Sequence, residues 1–264
     1  MQPQPQSVLA EIFEERQRIK NSLSENYILD ELASERLKRR VLNELRDRSI
    51  NDTHRAALHH ELAAILGVQG RVEEACDHLR EAETRGFEPI AVAFTMAFIY
   101  LSNGRVLDAR SLIERVYKDV PENILGLVRA HQAQAGIVGV FMDIAETKPQ
   151  YFVDSAEAAR ILASRDIADI ELTKRLDTAC RVIRSRINHP ILGYKVFAQE
   201  GEGILYRYLV KAPIEELAEL NDRVLDALMA SHDGPLDQEL SICVTPWAPE
   251  DVGDLQEVYR VSIR

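Results

Sequence analysis

The spacing of apolar residues changes once along the chain, near Pro190. Before this proline, apolar residues recur every three or four positions, which is typical of amphipathic helices. After it they follow a period of two, which is typical of half-buried strands. The pattern therefore predicts a helical region followed by a small sheet.

The clearest helical segments lie in the middle of the helical region. Asn51, Asp52 and Thr53 mark a break in the chain and supply a helix N-cap. Four helices are predicted after this break, at about 54–68, 72–85, 89–102 and 106–118. Other helices are predicted around Val8 to Leu23 and at about 27–48, 124–135, 155–163 and 170–187.

The end of the chain has the pattern of an α+β unit. Two alternating runs, Leu192–Ala198 and Ile204–Val210, flank a glycine-rich turn and predict a β-hairpin. A helix after Pro213, a strand at 240–245 and a possible fourth strand at Val258–Ile263 follow. The order ββαβ(β) predicts a small antiparallel sheet with a helix on one face.

The helical and sheet regions are predicted to form separate domains. The segment 147–150 contains Pro149 and is the predicted boundary, because proline disfavours helix in the residue before it. The predicted domains are a helical repeat domain at 1–150 and an α+β domain at 151–264. In the second, helices occupy 155–187 and the sheet with its helix occupies 191–264. The predicted fold class is multidomain, all-α followed by α+β.

One short phrase occurs twice in the helical domain. Gly70–Ala75 (GRVEEA) returns as Gly104–Ala109 (GRVLDA), 34 positions later. A fixed period of about 34 is typical of helix–turn–helix repeats, in which each pair buries its apolar face against a stacked neighbour. Further matches at this spacing are the small Ala63 and Ala97, the pair Leu66 and Tyr100, and Pro121 at the end of the second copy.

These residues make the segment at about 56–130 resemble the tetratricopeptide repeat family. The first copy departs from that family in having Phe87 at the place of the closing proline, and the second in having Val116 where alanine is usual. The resemblance implies a stack of helical pairs that forms a binding scaffold. It does not extend to the C-terminal domain.

The resemblance also implies which side chains line a concave groove. The family's register places the following residues there, the last two on the condition that a third repeat stacks in line: His60, Ala64, Phe94, Phe98, Leu101, Val128 and Gln132. His60 and Ala64 replace the Lys/Asn clamp with which some relatives hold a C-terminal carboxylate. This favours an apolar or helical ligand. Phe94 and Phe98 could instead pack beneath other helices, and both interpretations stay open.

Composition narrows the class of protein. The 28% charged and 46% apolar fractions are those of a globular protein, and the net charge of −11 disfavours nucleic acid and anionic lipid as partners. Cys76, Cys180 and Cys243 are far apart and odd in number, which predicts reduced thiols. The run Pro89–Leu101 is too short to span a bilayer, and Met1–Gln6 is polar and has no leader pattern. We therefore predict a cytoplasmic protein.

The sequence contains no convincing catalytic or metal-binding motif. Gly201–Gly203 lies between strands and precedes no helix, so a hairpin turn is favoured over a phosphate loop. His59 and His60 lack the HExxH pattern of a zinc site. Cys76 and Cys243 have no neighbouring base. We therefore predict no enzymatic activity, no cofactor and no metal.

The leading hypothesis is a protein-interaction or regulatory scaffold whose groove binds a peptide or a partner helix. A homodimer is also predicted, since a small sheet has edges that a second copy could cover. One alternative is a ligand-sensing or catalytic C-terminal domain, with these residues lining a cleft: Tyr194, Lys195, Tyr206, Arg207, Tyr208 and Trp247. Another is an RNA-binding helical repeat, because Gly70–Ala75 with Arg85–Pro89 also resembles a pentatricopeptide repeat.

Overall fold

The computed structural model describes residues 5–117, 124–143 and 152–248. Its helices are α1 (Pro5–Asn26), α2 (Glu31–Arg46), α3 (Asp52–Val68), α4 (Val72–Thr84), α5 (Pro89–Ser102), α6 (Val106–Val116), α7 (Leu125–Gln134), α8 (Val153–Ser164), α9 (Asp169–Arg184) and α10 (Ile214–Ser231). Its strands are β1 (Tyr194–Gln199), β2 (Gly203–Val210) and β3 (Leu240–Pro246). The predicted combination of an all-α part and an α+β part is confirmed.

The chain divides into two compact units, Met1–Asn103 and Gly104–Arg264. The first contains α1 to α5 and the second contains α6 to α10 with the sheet. The boundary predicted at 147–150 lies outside the described residues. The division into 1–150 and 151–264 therefore stays a prediction.

The helix ends follow from local capping chemistry. The side chain of Asn51 accepts a hydrogen bond of 2.8 Å from the backbone N–H of His54 and caps α3, as predicted. Gly70 and Gly104, the repeated glycines, have φ of 79° and 75°, a left-handed conformation that favours glycine. Asn51 therefore marks the start of α3, and the two glycines follow the ends of α3 and α5. The four predicted helices match α3 to α6 to within two residues at each end.

Each of the five helices of the first unit packs on at least two others. Helices α3 and α4 form a hairpin, and both pack on α5. In the same way α1 and α2 pack on each other and both pack on α3.

Small residues allow these helices to approach closely. Ala63, Ala75 and Ala97 are fully buried. At Gly67 of α3, an added Cβ would lie 2.5 Å from Cγ1 of Ile99 on α5, so the Ile99 side chain packs directly against the backbone of α3.

Helix α9 is the central helix of the second unit. Its apolar residues, among them Leu172, Leu176 and Ile183, are buried, and it packs on α6 and on α10. Asp177 on α9 accepts a hydrogen bond of 2.9 Å from the backbone N–H of Leu107 and so caps the start of α6. These contacts place the predicted helix at 170–187 within the core of its unit.

The sheet has the order β1-β2-β3 and is mixed. β1 and β2 form the predicted antiparallel hairpin, but β3 runs parallel to β2, so the expectation of an antiparallel sheet is wrong for this pair. The reason is the connection through α10, because a helical crossover returns the chain to the end of the sheet at which β2 began. The fourth strand predicted at Val258–Ile263 lies outside the described residues.

Candidate partner-binding groove

In the first unit α3 packs on both α1 and α5, and we group six partly exposed side chains of these three helices as one candidate surface. Arg16 and Lys20 lie one helical turn apart on α1, and Ala64 and Val68 lie one turn apart on α3. We call this surface the groove face, with these members: Phe13, Arg16, Lys20, Ala64, Val68 and Phe98. Phe13 is exposed, and the other five are half-buried.

A buried ion pair joins α1 to α3 beside the groove face. Arg16 Nε donates to Glu61 Oε2 at 2.5 Å, and the Glu61 side chain is only 9% exposed. Burial by itself raises the pKa of Glu61, but His60 and the Arg16 guanidinium together outweigh it and hold that pKa below its ordinary value. Glu61 is therefore ionised at neutral pH and fixes Arg16 at the edge of the groove face.

His60 joins α3 to α5. Its Nε2 lies 2.8 Å from Thr95 Oγ1, and its ring stacks on Phe87 with centroids 4.4 Å apart. The residue is 7% exposed. The predicted groove residue His60 therefore lies at the junction of two helices, where it positions neighbouring side chains.

The phenylalanines predicted to line the groove occupy different environments. Phe94 and Leu101 on α5 are 7% and 1% exposed, whereas Phe98 and Ala64 are half-buried and reach the groove face. Burial favours a packing role for Phe94, the interpretation that the sequence leaves open. Phe98 remains as the aromatic candidate for contact with a partner.

The other two predicted groove residues, Val128 and Gln132, lie on α7 in the second unit. Val128 is 1% exposed and Gln132 is 8% exposed. Gln132 Oε1 accepts a hydrogen bond of 2.8 Å from Arg129 Nη1. Their burial is that of residues that hold α7 in place within its unit.

Sequence reasoning missed the contribution of α1. Phe13, Arg16 and Lys20 precede the segment that resembles the repeat family, so the resemblance assigns no position to them. The signal in the sequence is the spacing of three and four residues that places them on one side of a helix.

Burial, and secondarily the charge of Arg16, lower the pKa of Lys20 to about 8.

Two histidines that look unrelated in the sequence meet between α3 and α4. His59 Nδ1 lies 2.9 Å from His78 Nδ1. Burial, followed by the charge of His78, lowers the pKa of His59 to about 4. Within residues 5–117, 124–143 and 152–248, no group of three or more His, Cys, Asp or Glu side chains is placed to hold a metal ion.

The residues considered for a C-terminal ligand cleft are mostly inside the second unit. Tyr194, Tyr206 and Tyr208 are at most 1% exposed and pack against one another. Burial raises the pKa of the nearby Cys180 to about 12, so its thiol is protonated at neutral pH. Lys211 lies over the Trp247 ring at 4.9 Å from its centroid. The tyrosines thus have the environment of core residues.

Comparison with known proteins gives no relative: no family model, no curated protein and no solved structure matches this chain. Among the helices of the described residues, none has both the length and the apolar character needed to cross a bilayer.

Proposed function

We propose that the first unit is a protein-interaction module and that a partner helix or peptide binds along the groove face, mainly through apolar contacts. The observation that carries this proposal is that α3 packs on both α1 and α5, and that each of these helices has an apolar side chain that is not fully buried.

The composition of the strip suits a helical partner. Ala64 and Val68 have short side chains, so the backbone of a bound helix can approach α3, and Phe13 on α1 and Phe98 on α5 supply larger apolar contacts. A ridge of side chains on the partner would fill the space between the two aromatic residues, as in ordinary helix packing.

Arg16 and Lys20 place two positive charges on the α1 side of the groove face, and these charges favour one direction of a bound partner. Arg16 is held by Glu61, and Lys20 lies one turn further along α1. Polar groups at the edge of an apolar strip contribute to the choice of partner and its direction more than to affinity.

The test is affinity capture from the native cell followed by binding measurements with the purified partner. Ala64→Arg places a long charged side chain on the apolar strip, and we expect it to weaken binding at least about tenfold, or about 1.4 kcal/mol. Phe98→Ala should weaken it by a similar amount, because it removes an aromatic anchor.

The matched control is Asn43→Arg, which adds the same charge at an exposed position of α2. It should bind as wild type does. Circular dichroism and thermal unfolding of each variant establish that the fold is retained. A partner that binds Ala64→Arg and Asn43→Arg equally well would refute the groove face as the binding surface.

A further inference from the structure

Helix α10 has two apolar sides, and among the described residues only one of them is packed against the fold. Leu217, Leu220 and Val224 are buried against the rest of the second unit. On the other side Ile214, Leu225 and Met229 are exposed, by 73%, 56% and 73%.

The three exposed residues lie on one side of α10. Leu225 follows Ile214 by three helical turns, and Met229 follows Leu225 by one turn. Ala218, also exposed, lies on the same side, one turn after Ile214 and two turns before Leu225. We call these four residues the α10 stripe.

Carboxylates line one flank of the α10 stripe. Asp222 lies three residues before Leu225, and Asp226 lies three residues before Met229, which makes each a helical neighbour of an exposed apolar residue. Both are exposed. The helix carries five acidic residues and a single basic residue, Arg223, which pairs with Glu219.

We propose that the α10 stripe is a second docking surface and that its occupant is an amphipathic helix with lysine or arginine along one edge. The apolar side of that helix covers Ile214, Leu225 and Met229, and its cations face Asp222 and Asp226. Charge complementarity selects this occupant. A second copy of the chain that docked through its own α10 would bring another helix rich in carboxylates against these two, and anionic lipid headgroups would be repelled in the same way. The proposal does not depend on the groove face of the first unit.

The test uses a designed helical peptide of the same length as α10, 18 residues, with one face of leucine and lysines along its edge. A second peptide has the same leucines and glutamate in place of each lysine. We expect the lysine peptide to bind the full chain at least about tenfold more tightly than the glutamate peptide, by calorimetry or fluorescence anisotropy. Leu225→Ser should weaken binding of the lysine peptide about tenfold. The double variant Asp222→Lys with Asp226→Lys should reverse the preference between the two peptides.

Matched controls lie elsewhere in the second unit. Val153→Ser removes another exposed apolar side chain, and Glu200→Lys with Glu202→Lys makes the same change of charge in the β1–β2 turn. Both should bind as wild type does. Equal binding of the two peptides, or wild-type affinity in Leu225→Ser, would overturn the proposal. A photo-reactive residue at position 225 tests the occupant directly. A cross-link to a second copy, or to residues 249–264 of the same chain, would also overturn the proposal, because it would identify a different occupant.

Discussion

Single residues set how closely the helices of the first unit can approach one another. At Gly67 the nearest atoms to an added Cβ belong to the side chain of Ile99, at 2.5 and 2.9 Å. Ile99 is 1% exposed and therefore has little room to move away. Packing between α3 and α5 therefore requires glycine at position 67. The helical backbone conformation of this residue does not, because any residue can adopt it.

Gly67→Ala should accordingly destabilise the protein although alanine is the better helix former. We expect a loss of about 1–3 kcal/mol in the free energy of unfolding, the usual cost of overpacking a core. Chemical denaturation measures it. Gly126→Ala on α7 is the matched control, because an added Cβ meets nothing within 4 Å there and helix propensity alone should stabilise it slightly. Equal stability of the two variants would contradict the close contact at Gly67.

At the scale of the elements, side chains from two helices cover positions on the outer edges of the sheet. Asn221 on α10 accepts a hydrogen bond of 2.8 Å from Val244 N and donates one of 3.1 Å to Val244 O, on the outer side of β3. Asp154 on α8 accepts one of 3.1 Å from Ala198 N, on the outer side of β1. Side chains thus occupy edge positions that would otherwise be available to a strand from another molecule. The predicted homodimer stays a prediction, but at these two positions a second copy is not needed to satisfy the edge.

Asn221→Ala should remove both hydrogen bonds at Val244 and leave the outer edge of β3 open. We expect the free energy of unfolding to fall by about 1–3 kcal/mol and self-association to increase, measured by denaturation and by light scattering. Arg223→Ala on the same helix breaks only an exposed ion pair and should leave stability close to that of wild type. An Asn221→Ala protein as stable and as monodisperse as Arg223→Ala would show that the edge cap has no such role.

The elements also show why some features were predictable from the sequence and others were not. The ends of α3 to α6 were predicted to within two residues because Asn51, Gly70 and Gly104 act on their own neighbours in the chain. The direction of β3 was not, because it depends on the path of α10 across the sheet. The same distinction applies to the groove face, since burial of Phe94 and exposure of Phe13 depend on contacts between distant segments.

Taken over the whole molecule, six of the seven histidines share one electrostatic property. Burial lowers the pKa of these six in the folded chain: His54, His59, His78, His131, His189 and His232. The effect is largest at His131, whose pKa falls to about 3 and whose Nδ1 lies 2.9 Å from Tyr117 Oη. Because unfolding restores the ordinary pKa of about 6.5, the unfolded chain binds more protons than the folded chain below that pH.

The free energy of unfolding should therefore decrease as the pH falls from 7.5 to 5, a range above the pKa of the carboxylates. His131 alone should contribute about 2 kcal/mol of this decrease, since pH 5 is about 1.5 units below the unfolded value and each unit corresponds to about 1.4 kcal/mol. Denaturation of wild type and His131→Asn across this range measures the contribution, and the variant should show the weaker pH dependence. Tyr117→Phe keeps the imidazole and should be less stable at every pH with the wild-type slope. Identical slopes for wild type and His131→Asn would mean that His131 is not the buried neutral group on which acid sensitivity depends.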